Sequence, residues 1–238
     1  MLVLQKIMGQ WSKSANIYIA LTEFSRAKLI EGGVEAAKLM VKPNFLDYKG
    51  DPGAGAGGYA LFVGRLTTDK GVDVLLRAWH EGDLPWKLKI VGDGPLRSQV
   101  EASIEAGSAI EYLGRVRQSE ILELMSPAEV LLVPSLWYEG FPRVIVEAFS
   151  VGLPVVASNL GSLSTIVKHD ENGLHFPAND PLALRDSIHR LASNPVRLRS
   201  MRAKARKAYE AKFTKEVNYA RLMEIYQVAI ERRDSSSL

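Results

Sequence analysis

The chain contains no cysteine. A disulfide framework, a thiolate metal site and a thiol nucleophile are therefore excluded, and the composition fits a reducing compartment, with the cytoplasm as the expected location. Histidine is scarce as well: His80, His169, His175 and His189 are the four present, and their spacing matches no ligand set, so no metal is assigned to them. Nowhere does the chain hold the run of about 18 apolar residues that a membrane span needs. Its apolar start, Met1 to Trp11, is interrupted by Gln5, Lys6 and Gln10 and lacks the charged leader and small-residue cleavage site of a signal peptide.

What is present is a globular composition. The 238 residues are 47% apolar and 24% charged, close to soluble-protein averages, which excludes disorder, collagen and coiled coil and leaves room for one large or two small domains. The formal charge of +3 is unevenly spread. Between Arg185 and Lys215 ten Lys/Arg face only Asp186 and Glu210, so this block carries +8 and the remainder −5. Such a block is a candidate for peripheral contact with an anionic membrane. Nucleic acid is not expected, because Tyr209 and Phe213 are its only aromatics for stacking bases. A solvated helix face is the plainer reading.

Apolar runs of strand length alternate with amphipathic helical stretches. Strands are expected at Ile17–Thr22, Leu39–Pro43, Tyr59–Gly64, Leu88–Gly92, Ile110–Gly114, Val130–Pro134 and Pro154–Ser158, with helices near 24–32, 71–80, 95–106, 118–126, 142–151 and 161–168 and an almost wholly helical tail from Pro181 to Arg232. The pattern predicts an α/β fold with a doubly wound, Rossmann-like parallel sheet and a helical C-terminal tail. Asp47–Gly58 (DYKGDPGAGAGG) reads as a linker that joins units instead of packing in a core. It separates a βαβ remnant at 1–46, too small to fold alone, from a domain at 59–215, with a C-terminal helix and frayed end at 216–238.

Ligands of such sheets bind beyond the carboxyl ends of the strands. After the strand at 59–64 come Gly64-Arg65-Leu66-Thr67-Thr68-Asp69-Lys70-Gly71 and a helix. Glycines allow close backbone approach, a helix N-terminus offers unpaired N–H groups, and Arg65 and Lys70 neutralise phosphate charge, so the loop suits a diphosphate. It is neither a P-loop nor G-x-G-x-x-G. Gly92-Asp93-Gly94-Pro95, with Pro95 placed to open a helix, and Gly114-Arg115-Val116 end two further strands and matter only through that position. The loop Ser135 to Pro142 leads into another helix, with Glu139 in the loop, Gly140 at its turn and Glu147 within VIVEAF. Carboxylates accept hydrogen bonds from hydroxyls, so Glu139 and Glu147 are candidates to hold two polyol groups either side of a phosphate at the helix end. A buried Glu147 would need a partner.

The series F-V-G-R-L-x-x-x-K-G (62–71), V-G-D-G-P-L (91–96), L-G-R-V (113–116), E-G-F-P-x-x-x-x-E (139–147), G-L-P-V-V-A-S (152–158) and E-N-G-L (171–174) resembles the group 1 glycosyltransferases of the GT-B fold. That resemblance implies two Rossmann-like domains facing across a cleft, the C-terminal one binding a nucleotide-sugar donor. It implies that Arg65 and Lys70 contact the donor diphosphate as it leaves, without a metal or other cofactor. Glu139, with the backbone of Gly140, Phe141 and Pro142, would hold the sugar, Glu147 the ribose, and Gly92 to Gly94 with Arg115 and Val116 the base; transfer would proceed with retention. Residues 1–45 resemble only the end of the family's N-terminal domain. Full activity is then expected to need that domain or a second copy to supply the acceptor side.

Three rivals are weaker. A glycoside hydrolase gains nothing from a cationic phosphate loop. A nicotinamide dehydrogenase needs fingerprint glycines that are missing. A non-catalytic basic module for membranes or nucleic acid rests on the Arg185–Lys215 block alone.

Overall fold

The computed structural model describes residues 15–80 and 82–235, so Met1–Trp11 lies outside the described residues. Six parallel strands form the main sheet: β3 (Tyr59–Val63), β4 (Lys87–Val91), β5 (Ile110–Gly114), β6 (Val130–Val133), β7 (Val155–Ser158) and β8 (Gly173–Phe176). Their order is β5-β4-β3-β6-β7-β8. The chain winds outward from β3 to one edge, then returns to β6 and winds to the other, which is the doubly wound arrangement expected of the sequence. The reversal lies between β3 and β6, paired at Ala60 with Val130 and Leu61 with Leu131.

Alternate side chains of each strand enter opposite layers. Ala60, Phe62, Leu88, Ile90, Val130, Leu132 and Val156 pack under α2 (Val72–His80), α3 (Arg97–Glu105) and α7 (Pro181–Ala192). Leu61, Val91, Leu131, Val133, Val155 and Ala157 pack under α4 (Gln118–Met125), α5 (Arg143–Ser150) and α6 (Ser162–Ile166). The long α8 (Pro195–Lys212) serves both layers, giving Leu198 and Met201 to the first and Ala205 and Tyr209 to the second. Asp180 and Asn194 cap α7 and α8 by accepting from Ala183 N and Arg197 N, each followed by proline in the first helical turn, where its missing N–H costs nothing.

A second, two-stranded parallel sheet is formed by β1 (Tyr18–Ala20) and β2 (Leu39–Val41), joined by α1 (Glu23–Glu31). This piece is clamped onto the large unit. Phe24 and Tyr138 rings lie 4.8 Å apart, and Thr22 Oγ1 is 3.0 Å from Ser162 Oγ. On the other side α9 (Lys215–Ser235) donates from Asn218 to Pro43 O at 2.6 Å and from Arg221 to Val41 O at 3.1 Å.

Several expectations change. Pro95 does not open a helix: it lies in a turn, and α3 starts at Arg97, because Leu96 N donates to Leu66 O and holds the preceding residues to the neighbouring loop. The strand β8 adds to the expected set: Leu174 and Phe176 alternate with His175, but the run is short and begins with Gly173, where a Cβ would overlap Val155 O. Helix α9 continues to Ser235, past the expected fraying at Arg232.

The segment 47–58 packs on the domain instead of merely joining units. Gly53 N, Gly55 N and Gly57 N donate to Val151 O, Ser126 O and Pro127 O, and Cβ atoms at Gly53 and Gly57 would collide with those carbonyl-bearing loops. Its straps come from the basic block. Buried Arg202 donates to Ala128 O, Gly53 O and Ser126 O, and Arg206 to Gly50 O and Ser150 O. Arg190 and Arg197 hold Asp170. Arg202 and Arg206 of the block are thus structural straps, whereas Arg190 and Arg197 pair with Asp170 at the surface.

Candidate functional site

The strand order fixes which loops meet. Loops after β5, β4, β3 and β6 follow one another along the carboxyl edge of the sheet, and they carry Arg115, Gly92–Gly94, Arg65 with Lys70, and Glu139 in that order. The two loops that carry most of the predicted chemistry therefore flank the switch point, where the outgoing crossovers diverge and open a crevice.

Hydrogen bonds zip these loops together. Leu66 N donates to Asp93 O and Leu136 N to Asp69 O, at 3.0 and 2.8 Å. Gly71, at φ 73°, lies so close to Pro134 that a Cβ would overlap its carbonyl oxygen. Gly92, at φ 138°, meets Gly64 O in the same way. Glycine is required at both positions by conformation and by space.

The chemistry converges at Glu139. Its Oε1 accepts from Lys70 Nζ at 2.7 Å and from Ser135 Oγ at 2.6 Å. Lys70 ends the short turn Thr68–Lys70, and Ser135 is buried just after β6, so both are anchored by the sheet. Arg65 shares the loop with Lys70, is exposed, and makes no ion pair among the described residues. Gly140 faces open space, Phe141 packs edge-on against Phe213 with centroids 6.2 Å apart, and Pro142 precedes α5 without a side-chain cap. Ser162 Oγ donates to Gly140 O at 3.3 Å and so links the loop to Thr22 of the N-terminal piece.

Glu147 is held by a different partner from Glu139. It is 7% exposed on α5, and Gln118 Nε2 donates to its Oε1 at 2.8 Å. Burial raises its carboxyl above the ordinary value of 4.5, opposed by the Gln118 hydrogen bond and the charge of Arg143. Asn44, Phe45 and Leu46 line the same small crevice. At the far end Arg115 Nε reaches Asp93 Oδ2 at 3.3 Å, Gly94 N donates to Asp93 Oδ1, and Val116 follows in the β5 loop. Ser135 and Gln118 were not read from the sequence as partners of the two glutamates; Ser135, four residues before Glu139, was visible, but Gln118 lies 29 residues from Glu147. Among the described residues no group of three or more His, Asp or Glu is placed to hold a metal ion.

A family model described as Glycosyl transferases group 1 matches residues 54–208, more than half of the chain. The chain belongs to that family. Among curated relatives, an exopolysaccharide phosphotransferase of Streptomyces coelicolor is 32% identical over 91% of this chain and 24% of its own length. The phosphatidyl-myo-inositol mannosyltransferase of Mycobacterium leprae is 32% identical over 82% of the chain and 54% of its own length. This group 1 chain therefore spans about half or less of the curated relatives it matches. Solved folds agree: sucrose-phosphate synthase from Thermosynechococcus elongatus superposes with a TM-score of 0.80 at 26% identity, over 95% of this chain and 60% of that one. Anabaena HepE in complex with UDP gives 0.76 at 21%, over 95% of this chain and 65% of that one.

Proposed function

We propose that this chain holds a nucleoside-diphosphate sugar along the carboxyl rim of its sheet and takes part in transferring the sugar, with retention, to an acceptor. The acceptor side belongs to the remainder of a two-domain enzyme or to a second copy. The observation that carries this reading is the contact of Lys70 with Glu139 across the switch point. It sets a cation for a diphosphate beside a carboxylate for sugar hydroxyls.

From the β5 loop to the β6 loop is three strand spacings of about 4.8 Å, or roughly 14 Å. The base lies at Gly92–Gly94 and Arg115–Val116, the diphosphate at Arg65 and Lys70, and the sugar at Glu139 and the Gly140–Pro142 backbone. Glu147 accepts from the ribose hydroxyls.

Breaking the sugar–phosphate bond builds negative charge on the departing diphosphate. Arg65 and Lys70 are preorganised for that charge, so they lower the barrier more than they strengthen ground-state binding. In this reading the two cations do the neutralising, and no metal is required.

Thermal unfolding of the chain with UDP, GDP or ADP, each with and without magnesium, tests the reading. At a hundredfold excess over Kd, one nucleotide stabilises by about 2.7 kcal/mol, a rise of roughly 5–10 °C. UDP is the first to test, given the UDP complex of the Anabaena relative. No shift with any nucleotide, or a shift that demands magnesium, overturns the proposal.

A further inference from the structure

A groove of about 710 Å³ opens away from the β3, β4 and β5 loops, between the N-terminal piece, the end of α6, α8 and α9. Its floor is apolar: Leu21, Val41, Phe141, Ile166 and Phe213. Its rim is cationic. Lys168, Lys204, Lys207 and Lys212 line it, and none of these lysines makes an ion pair among the described residues. Lys204, Lys207, Ala208, Ala211 and Lys212 fall at steps of three and four along one face of α8, so three ammonium groups share one side while the alanines between them leave the volume open. Arg221 is occupied by Val41 O and Glu224 and acts as a fixed wall. Against these cations the lining offers only Glu23 and Glu171.

The basic block thus divides by role. Its arginines at 190, 197, 202 and 206 are spent on internal carboxylates and carbonyls, whereas its lysines at 204, 207 and 212 are turned to a cavity. Like charges gathered around one concavity repel until an anion joins them. Lysine stems also extend the apolar floor while their ammonium ends stay at the mouth. A volume of this size is typical of ligand pockets. An apolar floor beneath a cationic rim selects a ligand that is itself divided, with an anionic phosphate at one end and hydrocarbon at the other.

We propose that this groove takes an anionic phospholipid of a membrane surface, its phosphate against the lysine rim and the adjoining hydrocarbon on the apolar floor, and so seats the protein on that surface. No helix among the described residues is long and apolar enough to cross a membrane. The occupant differs from the donor, and its site depends on none of the donor-rim cations.

The test is co-flotation of the full chain with phosphatidylcholine vesicles, with and without 30 mol% phosphatidylglycerol (roughly a third anionic lipid). Binding is expected only to the anionic vesicles. Lys204→Glu/Lys207→Glu/Lys212→Glu should lower partitioning on the order of a hundredfold, from about 1 kcal/mol per lysine at an anionic surface. A control with the same charge change outside the groove, Lys49→Glu/Lys87→Glu/Arg199→Glu, should lose less than about tenfold. All six positions are exposed, and both variants should keep the wild-type unfolding temperature and UDP response. Equal losses in the two variants reduce the effect to general charge attraction and overturn the groove. Stabilisation by soluble glycerol 3-phosphate without vesicle binding makes the occupant a free phosphate ester and overturns the lipid.

Discussion

Because Lys70 is already paired with Glu139, donor binding must exchange one partner for another. The Nζ–Oε1 distance is 2.7 Å and the side chains are 30% and 15% exposed, so the pair lies between a surface bridge worth at most about 1 kcal/mol and a buried one costing about 3–5 kcal/mol to break. We take about 1–2 kcal/mol for the coupling. A charge-assisted hydrogen bond to a phosphate returns about 1.5–3 kcal/mol. The net gain from Lys70 in UDP affinity is then about 1 kcal/mol, and Lys70→Ala should weaken UDP by less than about tenfold. Its effect on the leaving diphosphate is not offset in this way, and loss of one preorganised donor costs about 10²–10³ in turnover. Glu139→Gln supplies the opposite sign: it releases Lys70, so UDP should bind more tightly, although sugar transfer or donor hydrolysis falls. Calorimetry with UDP, beside sugar release from the nucleotide sugar at saturating donor, measures both. Weaker UDP binding by Glu139→Gln, or equal losses of binding and turnover in Lys70→Ala, refutes the exchange.

Glu147 carries a raised carboxyl pKa, so its contribution to stability is fully present below 4.5 and is lost as pH rises through the folded value. Glu147→Gln should remove that fall, and unfolding temperatures from about pH 4 to pH 8 should diverge upward from wild type as pH rises; parallel curves contradict the burial account. Gly92→Ala meets both a positive φ and Gly64 O and should cost about 3 kcal/mol or more, whereas Gly140→Ala, whose added Cβ meets no neighbour, should stay within about 0.5 kcal/mol by urea unfolding. Arg202→Met leaves Ala128 O and Gly53 O without their guanidinium donor, while Ser126 O keeps Gly55 N, so a loss of about 2–4 kcal/mol with unchanged denaturant slope is expected.

Motif loops were legible because their chemistry is local. Gly64–Gly71 and Ser135–Pro142 each carry their glycines, charges and following helix within one short stretch, and seven strands announced themselves as apolar runs. The partners were not legible in the same way. Lys70 meets Glu139 across 69 residues and Gln118 meets Glu147 across 29, distances over which hydrophobic periodicity carries no information about neighbours. Likewise the glycines of 47–58 look flexible in isolation. Only the approach of Ser126 and Pro127 shows that Gly53 and Gly57 are there to let two backbones touch.

Sequence alone determined the repeating strand–helix units, the loops that carry cations and carboxylates, and the family resemblance, since each depends on residues near one another along the chain. The tertiary structure decided the strand order that places those loops side by side, the exchangeable Lys70–Glu139 pair, and the division of one basic stretch into buried straps and a lysine-rimmed groove. Those features depend on which faces pack together, and packing is settled by contacts between residues far apart in sequence.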